Sequence, residues 1–302
     1  MAKRTARAFL LAAVRYSGAA WIARHTIQSH RVTVLAYHDP EPGVFERHIA
    51  LLESMYTIVS LETLLSMLRG NDLRSLPPRA LVVTLDDGWA GNTRLLPVVR
   101  RHRIRPALFV TTAIAGTHRH FWWTHAPDPA ERERAKTLPE DERLRALAAS
   151  GFDRDADYPD RQALSLDEIS EMSVWADVEG HTRSHPILPR CTDEQAEREI
   201  AGSADEVERM TGRRPRAFAY PNGDRSARDV GLVRKAGYEA AFTVEPGYVS
   251  AASDPYALPR IVVGDDVGAT ELIARASGVF GALARRGRRA SSAPSAGSPT
   301  VL

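Results

Sequence analysis

The stretch LVVTLDDG, residues 81–88, decides how the rest of the chain reads. Leu81, Val82 and Val83 form a short apolar run after the breaker pair Pro77 and Pro78. Such a run predicts a strand covered on both faces, as in a parallel sheet. Neighbouring side chains on a strand point to opposite faces, so Asp86 and Asp87 cannot do the same work. Gly88 permits a sharp turn and a close approach to the backbone. Two readings of the stretch stand: a strand closed by an Asp-Gly turn, or half of a site in which one carboxylate faces a metal and the other a substrate.

The flanks favour alternating strands and helices. Residues 32–37 (VTVLAY) predict a strand ending at His38, Asp39 and Pro40. Phe45, Ile49, Leu52 and Met55 recur at helical spacing. A short strand follows at 57–59. Ser60 then caps a helix with a stripe of Leu61, Leu64, Leu65 and Leu68. A helix over 93–102 and a strand over 106–111 continue the rhythm. After an interruption it resumes with a helix at 167–172, strands at 177–181, 216–220, 240–244 and 258–263, and helices at 192–211, 226–236 and 270–285. About eight strands in this order predict βα units around a parallel sheet or barrel.

Three segments stand outside that rhythm. At the N-terminus, Lys3, Arg4 and Arg7 precede a short apolar run over 8–14 that Arg15 ends. The run is too short to span a bilayer. It suits an amphipathic helix on an anionic membrane surface, a helix packed on the domain, or an uncleaved or atypical export signal. Peripheral membrane contact through residues 1–24 is therefore one expectation. The expected location is cytoplasmic or on the inner membrane face, with export as the alternative. Residues 116–162 form an insertion with Phe121, Trp122 and Trp123, a charged helical stretch over 129–149 and an Asp-rich loop. An insertion of this length reads as a lid or binding elaboration; its aromatics suit sugar stacking or burial. From Arg286 onward the chain is a basic Arg/Ser/Ala/Gly/Pro tail, expected to be disordered. The expected division is 1–31 N-terminal segment, 32–285 barrel, and 286–302 tail.

Composition sets the class. The 302 residues are 43% hydrophobic and 26% charged, with a net charge of +2, which suits one large α/β domain or two smaller ones. No basic stripe interleaved with aromatics points to nucleic acid. Cys191 is the single cysteine, so no intramolecular disulfide exists.

The second chemical motif is Glu179-Gly180-His181-Thr182-Arg183-Ser184-His185-Pro186. Histidines four apart fall on one side of a helical turn and can share one ion. The motif follows an expected strand end, as DDG does, and strand C-termini of α/β barrels share the face where active sites sit. Two histidines and one carboxylate meeting there would leave an open coordination position, the arrangement of a catalytic metal.

Together, TLDDG (residues 84–88) and HTRSH (residues 181–185) resemble the T-F-D-D-G and H-[ST]-x-x-H motifs of the polysaccharide deacetylase family, the NodB-homology or carbohydrate esterase 4 group. The resemblance covers about residues 32–263. It implies a distorted (β/α)7 barrel, here with a helical and loop insertion, and metal-dependent removal of N-acetyl or O-acetyl groups from glycans. It further implies Asp86 as general base, and Asp87, His181 and His185 as ligands of one divalent ion. Zinc is the first choice, with cobalt, nickel or manganese as alternatives. The family's R-x-P-Y-G aligns with Ala219-Tyr220-Pro221-Asn222-Gly223, which implies oxyanion support from the Asn222 backbone N–H.

Two positions depart from the family pattern. The motif's arginine is Ala219, and the C-terminal L-x-H that supplies the general acid is absent from LPRIVVGDD, residues 258–266. A subgroup carries its acid histidine in a strand-end Y-H motif near the N-terminus, which Tyr37-His38 resembles. His38 is thus the candidate acid, or a strand-end histidine that hydrogen-bonds nearby. Arg260 is the candidate replacement for the lost arginine as partner of Asp86; Glu179 and Asp265 are rival partners. Trp89 suits sugar stacking or sealing the barrel top. Asp39 suits substrate orientation or capping. His118, His120 and His125 are expected to stay away from the main metal. The function expected is de-N-acetylation of an acetylated glycan. The alternatives are O-acetyl or small-amide hydrolysis on the same fold, or a barrel that binds glycan without catalysis.

Overall fold

In the computed structural model, residues 18–26, 28, 30–126 and 128–277 are described. The basic and apolar residues 3–15 and the tail from 286 lie outside them, as does the end of the helix expected over 270–285. The first described helix, α1 (Ala19–Thr26), leaves Trp21 and Ile22 more than half exposed. No helix among the described residues is long and apolar enough to cross a membrane.

The βα rhythm then runs as β1 (Thr33–Tyr37), α2 (Pro42–Glu53), β2 (Thr57–Ile58), α3 (Leu61–Arg69), β3 (Ala80–Leu85), α4 (Leu96–His102) and β4 (Ala107–Val110). The insertion carries α5 (Pro129–Ala135) and α6 (Glu140–Ala148). After it come α7 (Leu166–Trp175), β5 (Asp177–Gly180), α8 (Asp193–Thr211), β6 (Ala217–Ala219), α9 (Ala227–Lys235), β7 (Ala240–Phe242), β8 (Ile261–Val262) and α10 (Ala269–Ala276).

All strand pairs are parallel, in the order β7-β6-β5-β4-β3-β1-β8, with β2 paired to β3 off that path. The segment 258–262 reaches both edges. Leu258 bridges Phe242 of β7, while Ile261 and Val262 pair with Leu35 and Ala36 of β1. Seven strands thus curl into the distorted barrel. The closing strand is shorter than the six residues expected, because Leu258 is spent on the β7 side and Pro259 has no N–H to donate.

Alternation along the strands divides the core. Leu35, Val83, Leu85, Leu108 and Val110 pack outward against α2, α4 and α7. Val34, Val82, Ala107, Phe109, Ala219 and Phe242 pack on the other face with Leu61, Leu64 and Leu65, so α3 plugs the inner end of the barrel. Each such fully buried Val, Leu or Phe contributes about 1.5–3 kcal/mol.

Three local readings differ from the structure. The helix expected over 93–102 opens as a 3-10 turn at Ala90–Leu95 and becomes α-helical only where Pro97 sits in the first turn. The charged stretch over 129–149 is two helices, because Pro139 cannot continue the first. His181 to His185 is not a helical turn but an irregular loop, with left-handed φ at Thr182 (65°) and His185 (56°).

Candidate metal and catalytic centre

Strand β3 ends at Leu85, and Asp86 and Asp87 follow at its C-terminal end. Asp86 still donates its N–H to Tyr37 O (2.8 Å), which sets it beside the end of β1. Asp87 and Gly88 then take left-handed φ of 70° and 76°. A Cβ at Gly88 would stand 3.0 Å from Val110 Cγ1, so the tight turn requires glycine there. The two carboxylates therefore separate as strand alternation predicts.

Asp87 faces the histidine loop. Its Oδ1 lies 3.3 Å from His181 Nε2 and 3.5 Å from His185 Nε2. One ligand atom from each of the three residues falls within 4.8 Å of the others, and all three residues are buried. His181 Nδ1 is 2.7 Å from Ala219 O. A carbonyl can only accept, so Nδ1 donates to it, and Nε2 is the nitrogen turned to Asp87. Trp89 Nε1 donates to Asp87 Oδ2 (2.8 Å), which leaves Oδ1 as the atom turned to the histidines.

The donor set fits a divalent ion. Asp87 Oδ1, the atom that faces both histidines, is buried without a hydrogen-bond partner among the described residues, and such a group is costly unless something satisfies it. Burial lowers the pKa of His185 to about 3 despite facing Asp87, so its ring is the neutral form a metal requires. Burial disfavours the Asp87 carboxylate, but the contact with His181 outweighs it and holds its pKa well below the usual range. Asp87→Asn, His181→Ala and His185→Ala are each expected to lose the ion from a chain that otherwise carries about one, read by metal analysis after gel filtration. Full retention in all three would refute the assignment.

Asp86 faces the barrel interior and meets Arg260. Both carboxylate oxygens accept from the guanidinium, Nη1 to Oδ1 and Nη2 to Oδ2, each at 2.7 Å. Arg260 also donates to Thr84 Oγ1 (3.0 Å) and Thr243 O (3.1 Å), and lies against the rings of Phe109 and Phe242. Burial pushes the Asp86 carboxyl up, but Arg260 and His181 outweigh it, so the group is ionised at neutral pH. The rival partners are occupied elsewhere. Glu179 accepts from the N–H groups of Arg216 and Ala217 (2.6 and 2.7 Å), and Asp265 from that of Glu41 (3.4 Å). Position 219 contributes its carbonyl to His181, while the guanidinium arrives from the closing segment.

Asp86, Asp87, His181 and His185 line one cavity of about 210 Å³ at the strand C-termini, with His38, Tyr220 and Asn222. His38 is exposed, and its carbonyl accepts from Asn92 Nδ2 (2.8 Å). Asn222 has left-handed φ (53°), and its Nδ2 is buried without a hydrogen-bond partner among the described residues. The insertion supplies a wall through Trp122, Trp123, Arg132 and Lys136. Phe121 and Trp122 are buried, and Trp122 Nε1 donates to His185 O (3.0 Å). Trp123 lies over the His185 ring at 4.3 Å. Asp39 sits half-buried 3.8 Å from Arg94. His118, His120 and His125 face the insertion itself; His120 and His125 approach to 3.1 Å. Burial pushes the Cys191 thiol up to about 12, which makes it a poor nucleophile. A larger cavity of about 760 Å³ opens at the opposite end of the strands among ion pairs such as Arg105–Asp177 (2.6 Å). That end of a barrel serves stability.

A profile described as "Polysaccharide deacetylase" matches residues 74–241, more than half of the chain. The chain belongs to the polysaccharide deacetylase family. Within the family, the chain is 28% identical over 109 residues to the poly-beta-1,6-N-acetyl-D-glucosamine N-deacetylase of Staphylococcus epidermidis. That match spans 33% of this chain and 37% of the relative's length. Solved deacetylase structures share the fold. Streptococcus pyogenes deacetylase PplD in complex with acetate superposes with a TM-score of 0.61 at 17% identity, over 80% of this chain and 96% of that one. IcaB from Ammonifex degensii gives 0.59 at 19% identity, over 82% and 97%.

Sequence reasoning missed the support for the ligands. Trp89 reads from sequence as a stacking or sealing residue, yet it holds Asp87. The Ala219 carbonyl, which orients His181, has no side-chain signature at all.

Proposed function

We propose that this protein is a metal-dependent glycan deacetylase that removes N-acetyl groups from an N-acetylhexosamine-containing substrate. The observation that carries the reading is the pairing of two distinct carboxylates in one cavity. Asp87 sits in the His181 and His185 ligand triangle, and Asp86 is held ionised by Arg260 beside it.

Asp87, His181 and His185 would hold the ion, with zinc the best match to two imidazoles and one carboxylate. When bound there, a divalent ion supplies Lewis-acid polarisation of the acetyl carbonyl and a lowered pKa for water. Asp86 takes the proton of the attacking water, and the guanidinium of Arg260 keeps both its oxygens oriented and charged. The Asn222 backbone N–H supports the oxyanion. His38 donates a proton to the leaving amine from the end of β1. Trp123 supplies an aromatic wall against a sugar face.

Acetate release tests the reading directly. With added zinc, the protein is expected to release acetate and a free amine from N-acetylglucosamine oligomers. It should release much less acetate from O-acetylated glycans and small amides. Preference for the ester or the small amide would redirect the assignment within the fold, and glycan binding without any release would make the barrel a binding module. His38→Gln is expected to keep the ion and lose about 10²-fold or more in kcat. An unchanged kcat would remove His38 from the reaction.

A further inference from the structure

The loop that carries both histidine ligands is strained. Thr182 is β-branched and takes a left-handed φ, as does His185. Such a loop keeps its shape only where the surroundings over-determine it. Part of that constraint is local. His181 N–H reaches Val110 O (3.1 Å), Thr182 O and Arg183 O accept from Thr112 and Ala113 (3.1 and 2.8 Å), and His185 N–H reaches Thr182 Oγ1 (3.0 Å).

The centre of the loop is held by one carboxylate on α8. Glu199 Oε2 accepts from the N–H groups of Arg183 and Ser184, both at 2.8 Å, and Oε1 accepts from Ser184 Oγ at 2.6 Å. Glu199 is buried. Three donors converging on one buried side chain fix the loop's position relative to α8. Arg154, from the insertion, completes the arrangement: its Nη2 donates to Ser184 Oγ (2.9 Å) and lies 3.5 Å from Glu199 Oε1. A second arm of the insertion runs from Arg143, over the Trp122 ring at 4.5 Å, to the Trp122 bond on His185 O.

We infer that Glu199 is the positioning residue that fixes the His181–His185 loop in its ligand geometry, and that Arg154 recruits the insertion to the same task. The inference rests on the metal reading of Asp87, His181 and His185. It gives the insertion a role besides walling the cavity: it braces the ligand loop through Ser184 and the His185 carbonyl. Carboxylates and carbonyls that orient metal ligands typically change metal affinity by about 10–100-fold when removed.

The test uses the full chain stripped of metal and titrated with Zn²⁺ against a competing chelator. Glu199→Gln is expected to weaken zinc binding about 10–100-fold, with Arg154→Met weaker in effect. Amide hydrogen exchange at Arg183 and Ser184 is expected to speed up in the metal-free variants while β3 and β4 amides stay as protected as in the parent chain. At saturating zinc, kcat is expected to recover most of its value, which a general loss of structure would not allow. If Glu199→Gln does not fold, Ser184→Ala and Arg154→Met carry the same measurements. Zinc affinity within twofold of the parent in these variants would overturn the inference. A parent chain that takes up no zinc would instead overturn the metal reading on which it rests.

Discussion

Asp86→Asn is expected to leave metal content at about one ion per chain and to lower acetate release by about 10²–10⁴-fold, the usual contribution of a positioned general base. The separation of the two effects follows from the geometry. Asp87, not Asp86, belongs to the ligand triangle, while Asp86 turns toward Arg260 inside the barrel. The same substitution leaves the Arg260 guanidinium fully buried without a counter-charge. Breaking a buried pair from one side costs about 3–5 kcal/mol, so the variant is also expected to melt earlier. Metal content and kcat measured below that melting point separate the two effects. Unchanged kcat would show that another group takes the proton.

Arg260→Met removes the other half of the pair and shifts the pH dependence. In the parent chain, burial raises the Asp86 pKa, while Arg260 and His181 bring it below the ordinary carboxylate value of about 3.9. A depressed pKa contributes stability that is present above that ordinary value and lost as pH falls through the folded value. Without Arg260 the burial penalty dominates and the pKa rises above the ordinary value. The unfolded chain then ionises first as pH rises, so the Asp86 contribution reverses and stability falls with increasing pH above about 3.9. The acid limb of the kcat/KM profile is expected to move to higher pH, because the base must lose a proton it now holds more tightly. At pH 7 the variant is expected to be about 3–5 kcal/mol less stable than the parent. Denaturant melts at pH 5 and pH 8 with a pH–rate series check both outcomes. An acid limb that stays in place would mean that Arg260 does not set the state of Asp86.

The strands, their order of appearance and the two motifs that meet at the Asp87, His181 and His185 cluster were legible in the sequence, because each rests on local information. The apolar run over residues 81–83 predicts β3, and breakers and caps such as Ser60, Ser165 and Thr192 delimit helices that form where their spacing places them. Local patterns did not carry the shape of the histidine loop. A spacing of four suggested a helical turn, but the bonds from Glu199, Ala113 and Val110 impose left-handed residues instead. Nor could spacing choose a partner for Arg260 among Asp86, Glu179 and Asp265. That choice needed the closing segment to bridge β7 and β1, which turns Arg260 into the barrel.

By itself, the sequence determined that DDG and H-x-x-x-H each follow the end of a strand in a parallel α/β fold, since strand periodicity and motif chemistry are written in adjacent residues. Only the tertiary structure decided what steadies the carboxylate at Asp86 after its expected arginine became Ala219. The guanidinium reaches it from residue 260, 174 positions away in the chain, and chain closure alone makes those positions neighbours.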